Sequence, residues 1–286
     1  MSNDRYRFKL GDFECLAICD VDQGGGNSEW FPNIPPEVSR PILEKMNVDP
    51  DDFNNAMTCL AVNTGTDWVL LDTGMGFVRE DAKLAQILEQ ENIQPRHIIL
   101  THLDLDHYAG LITTDNTPAF PDAQIHICRD AWELFTSDSY YEANKDTYDR
   151  REHLSIVKNQ VQLVEWDKEF LPGFHLISLP GHRDHHAGIE VESNGEKLLY
   201  AGDVVCHPLH IEHLDWHCMA DSYHDVARET RIKFAQMVAE SGSLTLIYHF
   251  EFPGLGHVIQ DGDGWKWQPL AILKETNLRG EHNGQR

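Results

Sequence analysis

An apolar run, His97-Ile98-Ile99-Leu100, opens directly into Thr-His-Leu-Asp-Leu-Asp-His-Tyr-Ala-Gly at 101–110. Four metal-capable side chains, His102, Asp104, Asp106 and His107, fall within six positions of that loop. A buried strand feeding a tight polar loop can direct imidazoles and carboxylates into one small space. Neutral imidazoles mixed with carboxylates suit zinc, manganese or iron, and the extra oxygens leave room for a second ion. The plainer reading is a solvated, aspartate-rich turn with incidental histidines. Three further segments repeat the arrangement. Pro180-Gly181-His182 follows the apolar stretch 174–179, Gly202-Asp203 ends 198–200, and His249 ends 244–248. In each case an apparent strand stops at a histidine or aspartate. The fold this demands is one whose strands finish at a shared edge.

The remaining pattern supplies such sheets. Residues 6–20 alternate as an opening strand or hairpin, and 57–63 and 68–72 form two strands around Thr64-Gly65-Thr66-Asp67. A helix is expected near 84–91, stopped before Pro95, followed by strands at 97–101 and 123–128. Residues 129–160 are charged and helical in composition. Strands recur at 161–164, 174–179, 187–192 and 197–201, the last two joined at Ser193-Asn194-Gly195. A helix over about 223–240, with Gly242 just past its end, leads to a closing strand at 244–248. Strands, then helix, then strand, twice over, predict a sheet-on-sheet core with helices outside. No linker interrupts the chain, so 1–286 is expected to be one domain. The loop 22–56 and the helical segment 129–160 are the stretches able to cover a pocket.

Composition narrows the partners. A hydrophobic fraction of 41% and a charged fraction of 24% are those of an ordinary globular chain. A formal net charge of −24 argues against nucleic acid or an anionic membrane surface and leaves a small molecule as the expected partner. Oligomeric state has no readable signal. The six cysteines form no C-x-x-C pair and the N-terminus has no apolar core, so reduced thiols and a cytoplasmic location are expected.

Taken together, these motifs resemble the metallo-β-lactamase-fold hydrolase superfamily. Its loop H-x-H-x-D-H is matched by His102, Asp106 and His107, its Pro-Gly-His turn by His182, its Gly-Asp turn by Asp203 and its late histidine by His249. Asp72-Thr73-Gly74 is similar to its early strand end, and Phe252–His257 to the branch holding lactonases and organophosphate hydrolases. The resemblance implies an α/β fold, a four-layer αββα sandwich. It also implies two divalent ions, zinc first, one held by His102, Asp104 and His182 and the other by Asp106, His107 and His249, with Asp203 bridging. The implied activity is hydrolysis of a small ester, lactone or phosphoester by a bridging hydroxide, with Asp106 as the catalytic carboxylate that orients it and moves its proton. Asp72 and His257 would lie behind the ligands. Trp30, Phe31, His207 and Tyr223 are candidate substrate contacts, although each also reads as packing or solvated surface.

Asp104 departs from that pattern, since most relatives have histidine there. Two divalent cations, three aspartates and one hydroxide make a neutral core, whereas histidine at 104 would leave it positive. A neutral core implies a weaker Lewis acid, and oxygen ligation admits manganese or iron. Di-iron members of the superfamily carry an acidic residue there, so a non-haem di-iron oxidoreductase is one alternative and a non-catalytic metal-binding module another. No flavin-binding segment follows the core to support the first. A tyrosine common three residues past the bridging aspartate is replaced by Cys206, with His207 beside it.

Overall fold

In the computed structural model, which describes residues 4–144 and 150–271, the opening stretch folds as a hairpin of β1 (Arg5–Leu10) and β2 (Phe13–Gly26). Beyond it, Pro36 starts α1 (Pro36–Lys45), where proline's fixed φ suits a first turn. β3 (Phe53–Asn63) and β4 (Trp68–Leu71) form the second hairpin, followed by α2 (Leu84–Gln90), β5 (Pro95–Ile99) and the one-turn α3 (Leu105–Tyr108). β6 (Gln124–Cys128), the helices α4 (Arg129–Thr136), α5 (Asp138–Asn144) and α6 (Arg150–Val157), and β7 (Val161–Val164) complete the first half. The second half comprises β8 (Glu169–Leu171), β9 (Phe174–Ser178), β10 (Ala187–Ser193), β11 (Glu196–Tyr200), α7 (Leu209–Glu212), α8 (His224–Ser241), β12 (Leu244–Leu246), β13 (Leu255–Asp261) and β14 (Gly264–Pro269).

The strands make two seven-stranded mixed sheets, β1 to β7 in chain order and β14 to β8 in reverse order. Leu16, Ile18, Leu60, Leu70 and Ile98 of the first sheet share one buried cluster with Leu176, Ile189, Val191 and Leu198 of the second. Each such side chain stabilises the sandwich by about 1.5–3 kcal/mol on burial. The outer face of the second sheet, with Leu199 and Val258, packs on Phe234, Ala235 and Val238 of α8. α2 covers β2 and α4 covers β6 on the other side, which completes the four-layer αββα sandwich.

Pairing direction sets the functional edge. β4 through β7 are mutually parallel, so their C-terminal ends lie together. In the other sheet β11 and β12 are parallel, and β9 points the same way because both β9 and β11 are antiparallel to β10. The backbone joins the sheets at this edge, Ala187 N donating to Thr101 O at 2.9 Å and Thr58 N to Tyr248 O at 3.1 Å.

One expectation needs correction. The strand at 244–248 does not close the fold, because β13 and β14 extend its sheet through an Asp261–Gly264 turn with Gly262 at a φ of 60°. The loop beyond Gly26 is folded back onto the body through its own small core of Phe31, Leu43, Phe53, Leu209 and Trp216. No described helix is long and apolar enough to cross a membrane.

Candidate metal centre

The centre is built outward from Asp72. This residue turns the chain off β4 with a φ of 56°, a left-handed conformation that a non-glycine residue adopts only when its surroundings enforce it. Here the enforcement is a saturated carboxylate. It accepts from Thr101 N and Thr101 Oγ1 (both 2.8 Å), from His107 Nδ1 (2.7 Å) and from Tyr200 OH (3.1 Å). With its Nδ1 proton committed to Asp72, His107 turns its Nε2 inward. Thr101 Oγ1 also lies 3.0 Å from His102 Nδ1, which fixes that ring in the same sense.

The four strand ends identified from the sequence then converge. Asp106, His107, Asp203 and His249 form one group whose ligand atoms all lie within 4.8 Å of one another, and His102, Asp104 and His182 form a second. Asp203 touches both. Its Oδ1 lies 3.3 Å from His107 Nε2, and its Oδ2 lies 3.2 Å from His249 Nε2 and 3.4 Å from His182 Nε2. Asp106 Oδ2 stands 3.5 Å from His107 Nε2 and 3.4 Å from His249 Nε2. His102 Nε2, His107 Nε2, His182 Nε2 and Asp203 Oδ1 are buried without a hydrogen-bond partner. Buried polar atoms are normally paired. A cluster of imidazole nitrogens without hydrogen-bond partners, set around carboxylates, is the donor set that divalent cations take, so these residues fit two such ions.

Other groups hold the rings from behind. His182 Nδ1 faces Asp221 Oδ1 at 3.6 Å, and Asp221 Oδ2 accepts from Nη2 of the fully buried Arg231 at 2.7 Å. His249 Nδ1 donates to Ala56 O, and Tyr248 OH donates to Asp106 O at 2.5 Å. His186, which the sequence leaves outside the ligand set, accepts from Asp203 N at 2.9 Å and donates from Nδ1 to Leu179 O. Gly202 makes that approach feasible, since a Cβ there would lie 2.7 Å from His186 Nε2.

The carboxylates govern the charge states. Burial alone would push His182 and His249 down, but Asp104 and Asp221 hold His182 up at about 9, and Asp203 and Asp106 hold His249 up at about 10. Burial would raise Asp203, yet His249 and His107 keep it well below the usual carboxylate range. His102 moves the other way, pushed down by burial and by His107.

Asp104 has partners that the sequence did not suggest. Arg183 grips it with a fork, Nε to Oδ1 at 2.8 Å and Nη2 to Oδ2, while Arg150 of α6 reaches Oδ1 at 3.3 Å. Oδ2 meanwhile faces His102 Nε2 at 3.8 Å and His182 Nε2 at 3.4 Å. The neutral-core count is therefore incomplete, because two guanidinium charges stand against the carboxylate that produced neutrality.

The candidate substrate contacts divide. Phe31 is fully buried among Phe53, His207, His210 and Trp216, a packed cluster instead of a lid. His207 is buried in the same cluster, where burial takes it down to about 3, and its Nδ1 accepts from Leu209 N. Trp30 is half-buried, edge-on to Phe53. Tyr223 is exposed and donates to Asp184 Oδ2 at 2.9 Å. His257 bonds Ser243 O, just before β12 begins and so at the end of that strand away from His249; its expected place behind the ligands is not where the chain puts it. Cys206 Sγ does approach the centre, grouped with His182 and Asp203.

Fold and donor set together define a class: an αββα sandwich carrying a seven-residue histidine–aspartate centre at one sheet edge. The chain belongs to the metallo-beta-lactamase superfamily, whose family model matches residues 56–240. A Mycobacterium tuberculosis protein named "Probable metallo-hydrolase" is 26% identical over 199 residues, covering 54% of this chain and 59% of its own length. The chain thus spans well under two thirds of that relative. An N-acyl homoserine lactonase of Bacillus thuringiensis is 24% identical over 188 residues, covering 53% of this chain and 69% of its own. Among solved structures, AidC, a dizinc quorum-quenching lactonase in complex with a product, superposes with a TM-score of 0.87 at 23% identity over 94% of this chain and 98% of its own. The hydrolase AbOPH gives 0.86 at 22% identity over 95% and 99%. These likenesses concern the fold.

Proposed function

We propose that this protein is a dinuclear metal-dependent hydrolase of a small ester, lactone or phosphoester. The observation that carries the reading is the set of four buried, unpartnered donor atoms on His102, His107, His182 and Asp203. In it, His102, Asp104 and His182 hold one ion, Asp106, His107 and His249 the other, and Asp203 is shared. Bound divalent ions supply Lewis-acid polarisation and water activation at neutral pH. The chain supplies the rest. Asp72 and Ala56 O hold the His107 and His249 rings by hydrogen bonds, so little reorganisation of those two accompanies reaction. Asp106, whose side chain keeps 21% of its surface exposed, is the carboxylate of the set most open to a substrate and is the group suited to hold and pass a proton. The Bacillus lactonase relatives favour lactones within the class, and the replacement of the usual tyrosine by Cys206 weighs against them.

The test is metal analysis of the purified protein, followed by ester, lactone and phosphoester substrates offered with zinc, manganese and iron in turn. Two equivalents of metal and turnover of one substrate class support the reading. Fewer than two equivalents at saturating metal, or inactivity toward every substrate with every metal, overturns it.

A further inference from the structure

The two halves of the centre are built with different electrostatics. Among the described residues, Asp106 and Asp203 form ion pairs with histidines and with no arginine or lysine. Asp104, the carboxylate proper to the other half, is shared. Its Oδ2 faces His102 and His182 and simultaneously takes Arg183 Nη2, while its Oδ1 takes Arg183 Nε and Arg150 Nη2.

Arg183 is not poised to leave. Its Nη1 donates to His182 O at 2.7 Å, to Ala220 O at 2.6 Å and to Ser222 Oγ at 3.1 Å, so the guanidinium is anchored from behind while its fork holds the carboxylate. A planar fork of this kind satisfies both carboxylate oxygens in a fixed geometry. An ion between His102 and His182 must take electron density from an oxygen that already accepts a charge-assisted hydrogen bond. It must also sit beside a fixed positive charge in a partly dehydrated site, where repulsion is weakly screened.

We infer that Arg183, by sharing Asp104, makes the His102–Asp104–His182 half a weak and exchangeable metal site beside a tight Asp106–His107–Asp203–His249 half. The inference rests on the dinuclear reading above and adds a residue that sets the inequality. Arg150 acts in the same direction through a single contact, so its share is smaller. Asp104 and Arg183 are then one unit: histidine at 104 is compatible with the site only when the guanidinium goes too, since a neutral imidazole facing metal offers Arg183 no acceptor.

The experiment is titration of the metal-stripped full chain with zinc alone, in competition with a chromophoric chelator, melting temperature being recorded for every variant. The wild type is expected to bind in two steps, the second at least about tenfold weaker. Arg183→Gln is expected to strengthen the second step by about tenfold or more with the first unchanged. Arg150→Gln, which leaves the anchors at Ala220 and Ser222 intact, is expected to strengthen it by a smaller factor and serves if Arg183→Gln does not fold. Asp104→His alone should lose the second step, and Asp104→His combined with Arg183→Gln should regain it, a coupling that a merely structural role for Arg183 does not produce. Two equal steps in the wild type, or a second step unchanged or weakened in both arginine variants, overturns the inference and leaves the dinuclear reading standing. Fewer than two zinc ions bound by the wild type at any concentration overturns both.

Discussion

The molecule buries two histidine clusters whose neighbours differ. His102, His107, His182 and His249 at the sheet edge range from 0% to 7% exposed, and His207 and His210 beneath Phe31 are 5% and 0% exposed. Burial therefore does not separate them. At the edge, Asp106, Asp203 and Asp104 face the imidazole nitrogens, and His182 and His249 are raised to about 9 and about 10. Around His207 the neighbours are the aromatic rings of Phe31 and Phe53, and burial alone takes it down to about 3. His210 Nδ1 is also without a partner, yet none of the candidate metal groups among the described residues contains His210 or His207. The proposed function makes a histidine a ligand only where carboxylates meet it. Among aromatics it is a neutral packing ring.

Substitutions should break this contrast at different strengths. Asp106→Asn removes a proton-carrying carboxylate while conserving shape. It should lower kcat by about 10²–10⁴-fold, read by steady-state kinetics on whichever substrate the panel identifies. Phe31→Ala, in the other cluster, should destabilise the fold by about 3–5 kcal/mol in denaturant titration with metal stoichiometry unchanged. A loss of metal in Phe31→Ala would show that the clusters are coupled. Asp72→Asn, which replaces the carboxylate that accepts from His107, Thr101 and Tyr200, should weaken zinc binding by about 10–100-fold in chelator competition.

The smallest effect concerns pH. His207 is depressed in the fold to about 3, against an ordinary value of about 6.5 in the unfolded chain. Between those values the unfolded state binds the extra proton. The stability His207 confers is therefore complete above about pH 6.5 and is lost as pH falls toward 3. His126, lowered to about 4 by burial and by His97, contributes with the same sign. The denaturation midpoint should decline on acidification from pH 7 to 5, and His207→Leu should flatten that decline. An equally steep decline in His207→Leu would place the acid sensitivity elsewhere.

How much of this was legible in the sequence follows from distance along the chain. Strand ends announced themselves because a ligand adjoining an apolar run is a local signal, and His102, Asp106, His107, His182, Asp203 and His249 all carry it. A sheet-on-sheet core with helices outside followed from element order, and the resemblance implied the αββα layering. Asp261-Gly262-Asp263-Gly264 was also local, and as a hairpin signal it could have disclosed β13 and β14. Arg183 had no such signal. It lies 79 positions from Asp104, and only the meeting of the β9–β10 loop with β5's exit loop, where Ala187 N donates to Thr101 O, brings its guanidinium to that carboxylate. Asp221 had none either, since nothing local shows that it faces His182 and Arg231. Phe31 and His207 stood as candidate substrate contacts, Phe31 in a loop able to cover a pocket and His207 beside Cys206, three residues past Asp203. The small core they share with Trp216 exists only after the loop folds back.

The central claim is that carboxylate-faced imidazoles, and not buried imidazoles in general, hold the metal. Crystals soaked in zinc and measured by anomalous diffraction at the zinc edge test it directly. The account predicts two peaks flanking Asp203, one among His102, Asp104 and His182 and one among Asp106, His107 and His249, with none near His207 or His210. A peak in the aromatic cluster, or no peak beside Asp203, would contradict it.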